Sequence, residues 1–455
     1  MRFGVRFCLI ILFSALPVLA QGSDSEETSS PVQEKEIELP AVPEARPGFL
    51  PEVLKTRIGA FLVGSFNYNS HLQMVPEFAG GIPAKADPGR SNFRFDKLGL
   101  TFTTTFARWL QASGVIEVEN HRDRHTHGFD PEFGCPGTGL CVEQFGAHEA
   151  ETEVALEKFN LTAVAPVGNG LTLSVGRFDV PFGIERHDEP LLLTATTSEV
   201  FRFGRPSLMT GFQAGYTFTP WLDVSAWVVN RWEHEITGEE DFNDNNKDKT
   251  FGGRIGFTPF PRAGLLNFGI GGFYGPEQED KTSNKRWVLD LDFTWNPLPR
   301  LLLAGEFIYG GEANREFRER GLPFPAPEEV KDVHWRGFYL LTHYDALDWL
   351  GLSFRYGLFD DRDGGRTGVK QVLQSWTFAP IIHLSRLIPE LRPTGAAYAR
   401  TRHPIDWVDL KIEYRLNHSN RPVFSDQGSG EAILEADRTS HQVELQLVVN
   451  FWNFL

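Results

Sequence analysis

The sequence predicts an all-β protein, a transmembrane antiparallel β-barrel of about sixteen strands with a long loop folded into its lumen. Three observations lead there: an export segment with no later span of eighteen apolar residues, short segments repeating with a period of two, and connections alternately long and short.

Residues 1–20 read as a signal peptide, with Arg2 and Arg6 at the start, an apolar run from Phe7 to Leu19 and Val18-Leu19-Ala20 as a small-residue cleavage site. The run is too short to cross a bilayer, and Cys8 lies inside it rather than at the cleavage point, so no lipid anchor is expected. Its removal takes away two arginines and no acid, which moves the net charge from −16 to about −18. So acidic an export product is a poor partner for nucleic acid, and none is expected. Residues 21–56, rich in Glu, Ser and Pro, have no periodicity and read as a disordered periplasmic leader. From 57 to 455 the texture is uniform, with glycine and aromatic residues throughout and 38 Phe in the chain against 3 Met.

Counting every second residue on one face gives strands at 57–69, 93–105, 110–118, 154–165, 171–178, 211–218, 222–231, 251–259, 265–274, 285–295, 301–311, 333–344, 350–359, 370–384, 406–417 and 442–454. Gaps 70–92, 119–153, 179–210 and 232–250 are long, whereas 106–109, 166–170, 219–221 and 260–264 are short. Bacterial barrels have this asymmetry, with short periplasmic turns, long outer loops and an even strand number. The gap 385–405 breaks the pattern and the faces of 370–384 do not separate, so fourteen or eighteen strands stay open.

Val408, Leu410, Ile412, Tyr414 and Leu416 alternate with Asp409, Lys411, Glu413 and Arg415, and Val443, Leu445, Leu447, Val449 and Phe451 with Gln442, Glu444 and Gln446. A lipid-facing Arg or Lys at the midplane costs roughly 2–4 kcal/mol, so the charged rows belong in the lumen. Likewise Trp287, Leu289, Leu291, Phe293 and Trp295 would meet lipid while Asp290 and Asp292 face inward. A soluble sandwich would alternate too; the signal peptide, the loop asymmetry and an aromatic final strand, Asn450-Phe-Trp-Asn-Phe-Leu455, distinguish the barrel. That ending resembles the signal read by barrel-assembly machinery, with Leu in place of the usual last Phe. Cys135 and Cys141, with five residues between them and in an oxidising compartment, are expected to form a loop disulfide rather than a metal site.

The chain is organised around Leu171 to Phe218, two alternating strands joined by about thirty residues, 179–210. Within it, Gly176-Arg-Phe-Asp-Val-Pro-Phe-Gly-Ile-Glu185, Phe201-Arg-Phe-Gly-Arg-Pro206, Thr210-Gly211 and Val228-Val-Asn-Arg-Trp232 resemble the OmpL-like β-barrel porin family, as does Ile412-Glu-Tyr-Arg415. The resemblance implies an outer-membrane porin with a lumen-folded loop and names no solute. The related phosphate-selective porins share the Gly-x-Phe-x-x-Pro-Phe-Gly pattern.

Selectivity in such a channel comes from charges at its narrowest part. The loop offers Glu185, Arg186, His187, Asp188, Glu189, Arg202 and Arg205, and the inward faces offer Arg231, Arg254, Asp290, Asp292, Glu306, Arg355, Asp409 and Glu413. Arg177 shares the parity of Leu171 and joins them only if its strand ends first. Many of these charges could instead pair with one another or anchor the loop, Asp179, Glu185 and Arg186 above all. The expected function is passive diffusion of small hydrophilic solutes or ions through the bacterial outer membrane, with outer-membrane lipid as surroundings, a homotrimer as one possible assembly, no cofactor, no metal and no catalysis. Alternatives are an anion- or phosphate-selective porin, with Arg177, Arg186, Arg202 and Arg205 converging on the anion, or a plugged barrel whose outer loops bind surfaces. His121, His125 and His127, the oxygen-rich run Asp241–Asp248, and Ser440-His441 are weaker hints of a metal, of calcium and of a hydrolase.

Overall fold

The computed structural model describes residues 55–70, 72–73, 91–123, 149–232, 244–261, 265–317, 329–391, 406–425 and 437–451. The signal peptide, nearly all of the leader, Cys135, Cys141, His125, His127 and the last four residues lie outside them. Sixteen antiparallel strands form one closed barrel in chain order. They are β1 (Lys55–Asn69), β2 (Ser91–Ala107), β3 (Leu110–Asp123), β4 (Glu149–Ala165), β5 (Leu171–Asp179), β6 (Leu208–Thr219), β7 (Leu222–Val229), β8 (Thr250–Phe257), β9 (Leu266–Gln278), β10 (Lys281–Leu298), β11 (Leu301–Phe317), β12 (Glu329–Leu347), β13 (Leu350–Asp361), β14 (Gln371–His383), β15 (Val408–Ser419) and β16 (Thr439–Asn450). Closure comes from β1 against β16, with Phe61 opposite Asn450 and Asn69 opposite Gln442. A barrel leaves no strand edge unpaired, which a bilayer demands of every backbone N–H and C=O.

Four of the turns at one end share one construction. β2–β3, β6–β7, β10–β11 and β12–β13 are each joined by two residues, with a register shift just before the turn. Tight hairpins of this kind fix register locally. At the other end the connections are longer, except between β9 and β10. There the strands run on to Gln278 and from Lys281, joined by Glu279 and Asp280, and Asp280 takes a φ of 55°. The alternation stops at Gly275 because Gly275, Pro276, Glu277 and Gln278 are all buried, so sequence period alone ends the strand too early.

Side chains divide as the charge rows require. Asp409, Lys411, Glu413 and Arg415 are no more than 3% exposed, while Tyr414 between them is 44% exposed on the outer face. On β10, Asp290 and Asp292 point inward, and Leu289 and Leu291 outward. In β14 the inward row is Gln371, Leu373, Ser375, Thr377, Ala379, Ile381 and His383. Apolar and polar residues mix there because the interior is partly an apolar core, which is why the sequence does not separate its faces.

That core consists of loop side chains between β5 and β6 packed against the wall. Phe182, Leu193, Val200 and Phe203 meet Trp227, Phe273, Ile308, Trp335, Tyr339 and Phe359. After β14 a short helical segment, Leu384–Leu387, and a 3-10 turn, Pro389–Leu391, occupy the start of the irregular gap. Two further short strands, Leu72–Gln73 and Phe424–Ser425, pair with each other outside the barrel sheet.

Candidate functional site: the inner loop and the wall it meets

The segment 180–207 leaves β5 and returns to β6, its neck closed by the Val180 amide donating to the Ser207 carbonyl at 3.0 Å. Phe182 enters the wall first. Its ring meets Phe273 edge-on at 5.6 Å and lies where a Cβ at Gly271 would come within 2.9 Å of it, so glycine at 271 makes room for the approach. Burying such a ring contributes roughly 1.5–3 kcal/mol.

Beyond Phe182 the contacts turn ionic. Arg355 of β13 donates from Nη1 to Glu185 Oε1 at 2.6 Å, Thr194 Oγ1 at 2.8 Å and the Thr196 carbonyl at 2.5 Å. The other Glu185 oxygen accepts from the Ser198 amide at 2.8 Å and its hydroxyl at 2.5 Å. Glu413 of β15 accepts from the Ala195 amide at 2.7 Å and from Thr196 Oγ1 at 2.5 Å. Lys411 donates to the Glu189 carbonyl at 2.7 Å, and Arg415 donates to the Thr197 carbonyl at 2.7 Å and pairs with Glu199. Burial pushes the Glu199 carboxyl up, but Arg415 and Arg202 outweigh it and hold the group below the ordinary carboxylate range. Lower down, Arg205 Nε donates to Glu306 Oε1 at 2.5 Å, and Glu306 Oε2 accepts from Tyr339 at 2.9 Å and the Ile184 amide at 3.2 Å.

The opposite flank of the loop meets β2, β3 and β4. Lys158 Nζ lies 2.6 Å from Asp188 and 3.0 Å from Asp179. Burial raises the Asp188 carboxyl, but Lys158, then His187, reverse this and hold it low. Lys97 Nζ lies 2.8 Å from Glu117 and 2.9 Å from His187 Nε2. Glu117, Glu157 and His187 bring three ligand atoms within 4.8 Å of one another and could hold a cation; the Lys97 ammonium already places a positive charge there.

Most of the charges singled out from the sequence are thus already engaged within the protein. Glu185, Asp188, Arg205, Glu306, Arg355 and Glu413 join loop to wall, and Arg254 pairs with Asp292 at 3.0 Å. Arg186 donates to the carbonyls of Gly183 and Glu185, within its own loop. Glu189 lies 3.5 Å from Lys97, and an Asp409 carboxylate oxygen lies 2.7 Å from His383 Nδ1. Arg202 is buried beside Glu199 and Arg415. Asp290 is fully buried among Glu306, Asp292 and Arg205. Arg231 lies past the end of β7, half-buried. Of the four arginines, Arg186 and Arg205 both donate to the Glu185 carbonyl, whereas Arg177 meets Glu157 and Arg202 lies beside Glu199 and Arg415. Ser440 is buried while its neighbour His441 bonds Tyr414 on the outer face at 2.8 Å, so successive residues of one strand hold them on opposite sides of the wall.

Arg177 corrects the parity argument. Its strand does not end before it but runs to Asp179, yet Arg177 is 7% exposed and lies 3.8 Å from Glu157. The cause is Gly176, whose φ of +131° turns the strand where the side chain would otherwise face outward. A Cβ there would stand 2.1 Å from the Phe159 carbonyl oxygen. Gly176→Ala is therefore expected to lose at least about 1–3 kcal/mol, read as a lowered unfolding temperature in detergent. An alanine variant as stable as the parent would show that the turn is dispensable.

Lys97, Glu117, Glu157, Lys158 and Glu199 complete the site and were not singled out. Adjacent Glu157 and Lys158 both point inward because a bulge leaves Glu157 without an opposite residue: Val115 faces Lys158, and Ile116 faces Leu156. Two neighbouring charges in an otherwise alternating strand are the signal for it.

A family model described as putative beta-barrel porin-2, OmpL-like, matches residues 90–451. Among solved structures, the outer membrane channel DcaP of Acinetobacter baumannii is similar with a TM-score of 0.51 and 11% identity, covering 88% of this chain and 97% of that one. OmpF of Salmonella typhi, solved with daunomycin, is similar with a TM-score of 0.50 and 10% identity, covering 88% of this chain and 98% of the other. At such identity the likeness concerns the fold. No protein of curated function matches the sequence.

Proposed function

Because the chain belongs to the putative beta-barrel porin-2, OmpL-like family, and is thereby an outer-membrane channel, we propose that it passes small hydrophilic solutes or ions by passive diffusion, with residues 179–210 narrowing the opening. The observation that carries this reading is the direction of the loop's bonds. Carboxylates, backbone amides and carbonyls between Ile184 and Arg205 meet the inward faces of β11 to β15, more than a hundred positions away in sequence. A segment so fastened takes up lumen cross-section at the depth of its anchors.

Deleting residues 184–203 and bridging the ends with a short Gly-Ser linker is expected to raise single-channel conductance in planar bilayers. Unchanged conductance would remove the loop from the mechanism. Swelling of proteoliposomes in small sugars separates this from a plugged barrel used for surface binding, because a plugged barrel admits none.

A further inference from the structure

Resting on the porin reading, we propose that the water-filled path follows the inner wall of β3 to β7, and that it takes uncharged, hydroxyl-rich solutes in preference to ions of similar size. The inward rows of the barrel are unequal. On the side where the loop docks, Ser375 and Thr377 are 0% exposed. A Cβ at inward Gly357 there would meet Glu199 Oε2 at 3.1 Å. Toward the short-turn ends of β3 to β7, beyond the loop contacts of Glu117, Lys158 and Trp227, the inward residues Ser113, Asn160, Thr162, Ser174, Gln213 and Ser225 are all partly exposed, and a Cβ at inward Gly215 would meet nothing within 4 Å. Open volume therefore lies against this part of the wall.

The lining chemistry there is uniform. Asn160 Oδ1 accepts from Ser113 at 3.1 Å and from Thr162 at 3.2 Å, and Thr162 bonds Ser174 at 2.9 Å. Hydroxyl and amide side chains both donate and accept, so the band can exchange its own bonds for those of a passing hydroxyl group, much as water does. It offers an ion no countercharge. Every charge bordering it has an opposite partner, each cation lying between two carboxylates: Arg254 is 3.0 Å from Asp292 and 3.8 Å from Asp223, and Lys158 lies between Asp179 and Asp188.

The test puts a charge on the band. With full-length protein in planar bilayers under a KCl gradient, Ser174→Glu and Ser174→Arg should move the cation-to-anion permeability ratio in opposite directions by at least about twofold, since an unpaired charge would now line the path. Gln213→Glu should act as Ser174→Glu does, which guards against one badly folded variant. In proteoliposomes the unmodified protein should admit glucose faster than gluconate. A conducting channel whose ratio ignores all three substitutions, or that admits gluconate as fast as glucose, overturns the proposal and leaves the porin reading intact. An unmodified protein that neither conducts nor admits sugar overturns the porin reading itself.

Discussion

Arg355→Ala is expected to free the loop from the wall, raising single-channel conductance and lowering stability by about 3–5 kcal/mol, the usual cost of stripping one partner from a buried ion pair. Arg355 is 0% exposed, and its Nη1 alone meets Glu185, Thr194 and the Thr196 carbonyl. Without it, the Glu185 carboxylate keeps only the amide and hydroxyl of Ser198 and stays in a place that water scarcely reaches. Glu185→Gln should cost less, about 1–3 kcal/mol, because a neutral amide can still accept from Ser198 and leaves Arg355 its Thr194 and Thr196 acceptors. The double variant should then lose less than the two single losses combined, since residues in one network couple. Denaturant midpoints in detergent measure all three. Additive losses with unchanged conductance would mean that the pair holds nothing in the lumen.

The barrel was far more legible than its site, and the reason is physical. A lipid-facing side chain must be apolar, and that constraint recurs at every second position of every strand, so the period is written many times over. Leu289, Leu291, Tyr414, Leu445 and Leu447 all face outward as alternation requires. The lumen carries no matching rule. Trp335, Val333 and Ile381 face inward because the loop brings Val200, Phe203 and their neighbours to meet them, and nothing local to β12 or β14 announces it. Glu185, Arg205, Glu306, Arg355 and Glu413 were readable as candidates from charge and parity, but their pairing was not, because partners lie over a hundred residues apart. Arg177, placed inward only on the condition that its strand ended first, and Glu157, not singled out at all, were obscured for a different reason. Each sits at a break in regular strand geometry, Gly176 in one case and a bulge in the other, and a period-two reading assigns faces on the assumption that no such break occurs.

Leu291→Arg is expected to cost about 2–4 kcal/mol in lipid, whereas Ser225→Arg, on the wet side of the same wall, should cost well under 1 kcal/mol. Leu291 is 40% exposed near the middle of β10, next to Asp292 at 7%, and its cross-strand neighbours Ile270 and Phe307 are 54% and 39% exposed. Among the described residues all three side chains stay open on the outer face, so their surroundings decide what the substitution costs. In water a surface Leu→Arg change is nearly neutral and removes an apolar patch. In a bilayer the guanidinium must drag water in or snorkel to the headgroups, and midway along a strand it is far from both ends. Ser225 pairs with Arg254 across β7 and β8 on the inner face, where a second arginine meets solvent and a nearby Asp223. Folding free energies of the two variants in vesicles, set against the same pair in short-chain detergent, isolate the bilayer term. Equal costs for both positions in vesicles would mean that the two faces of the wall meet the same medium, and the assignment of lipid outside and water inside would fall.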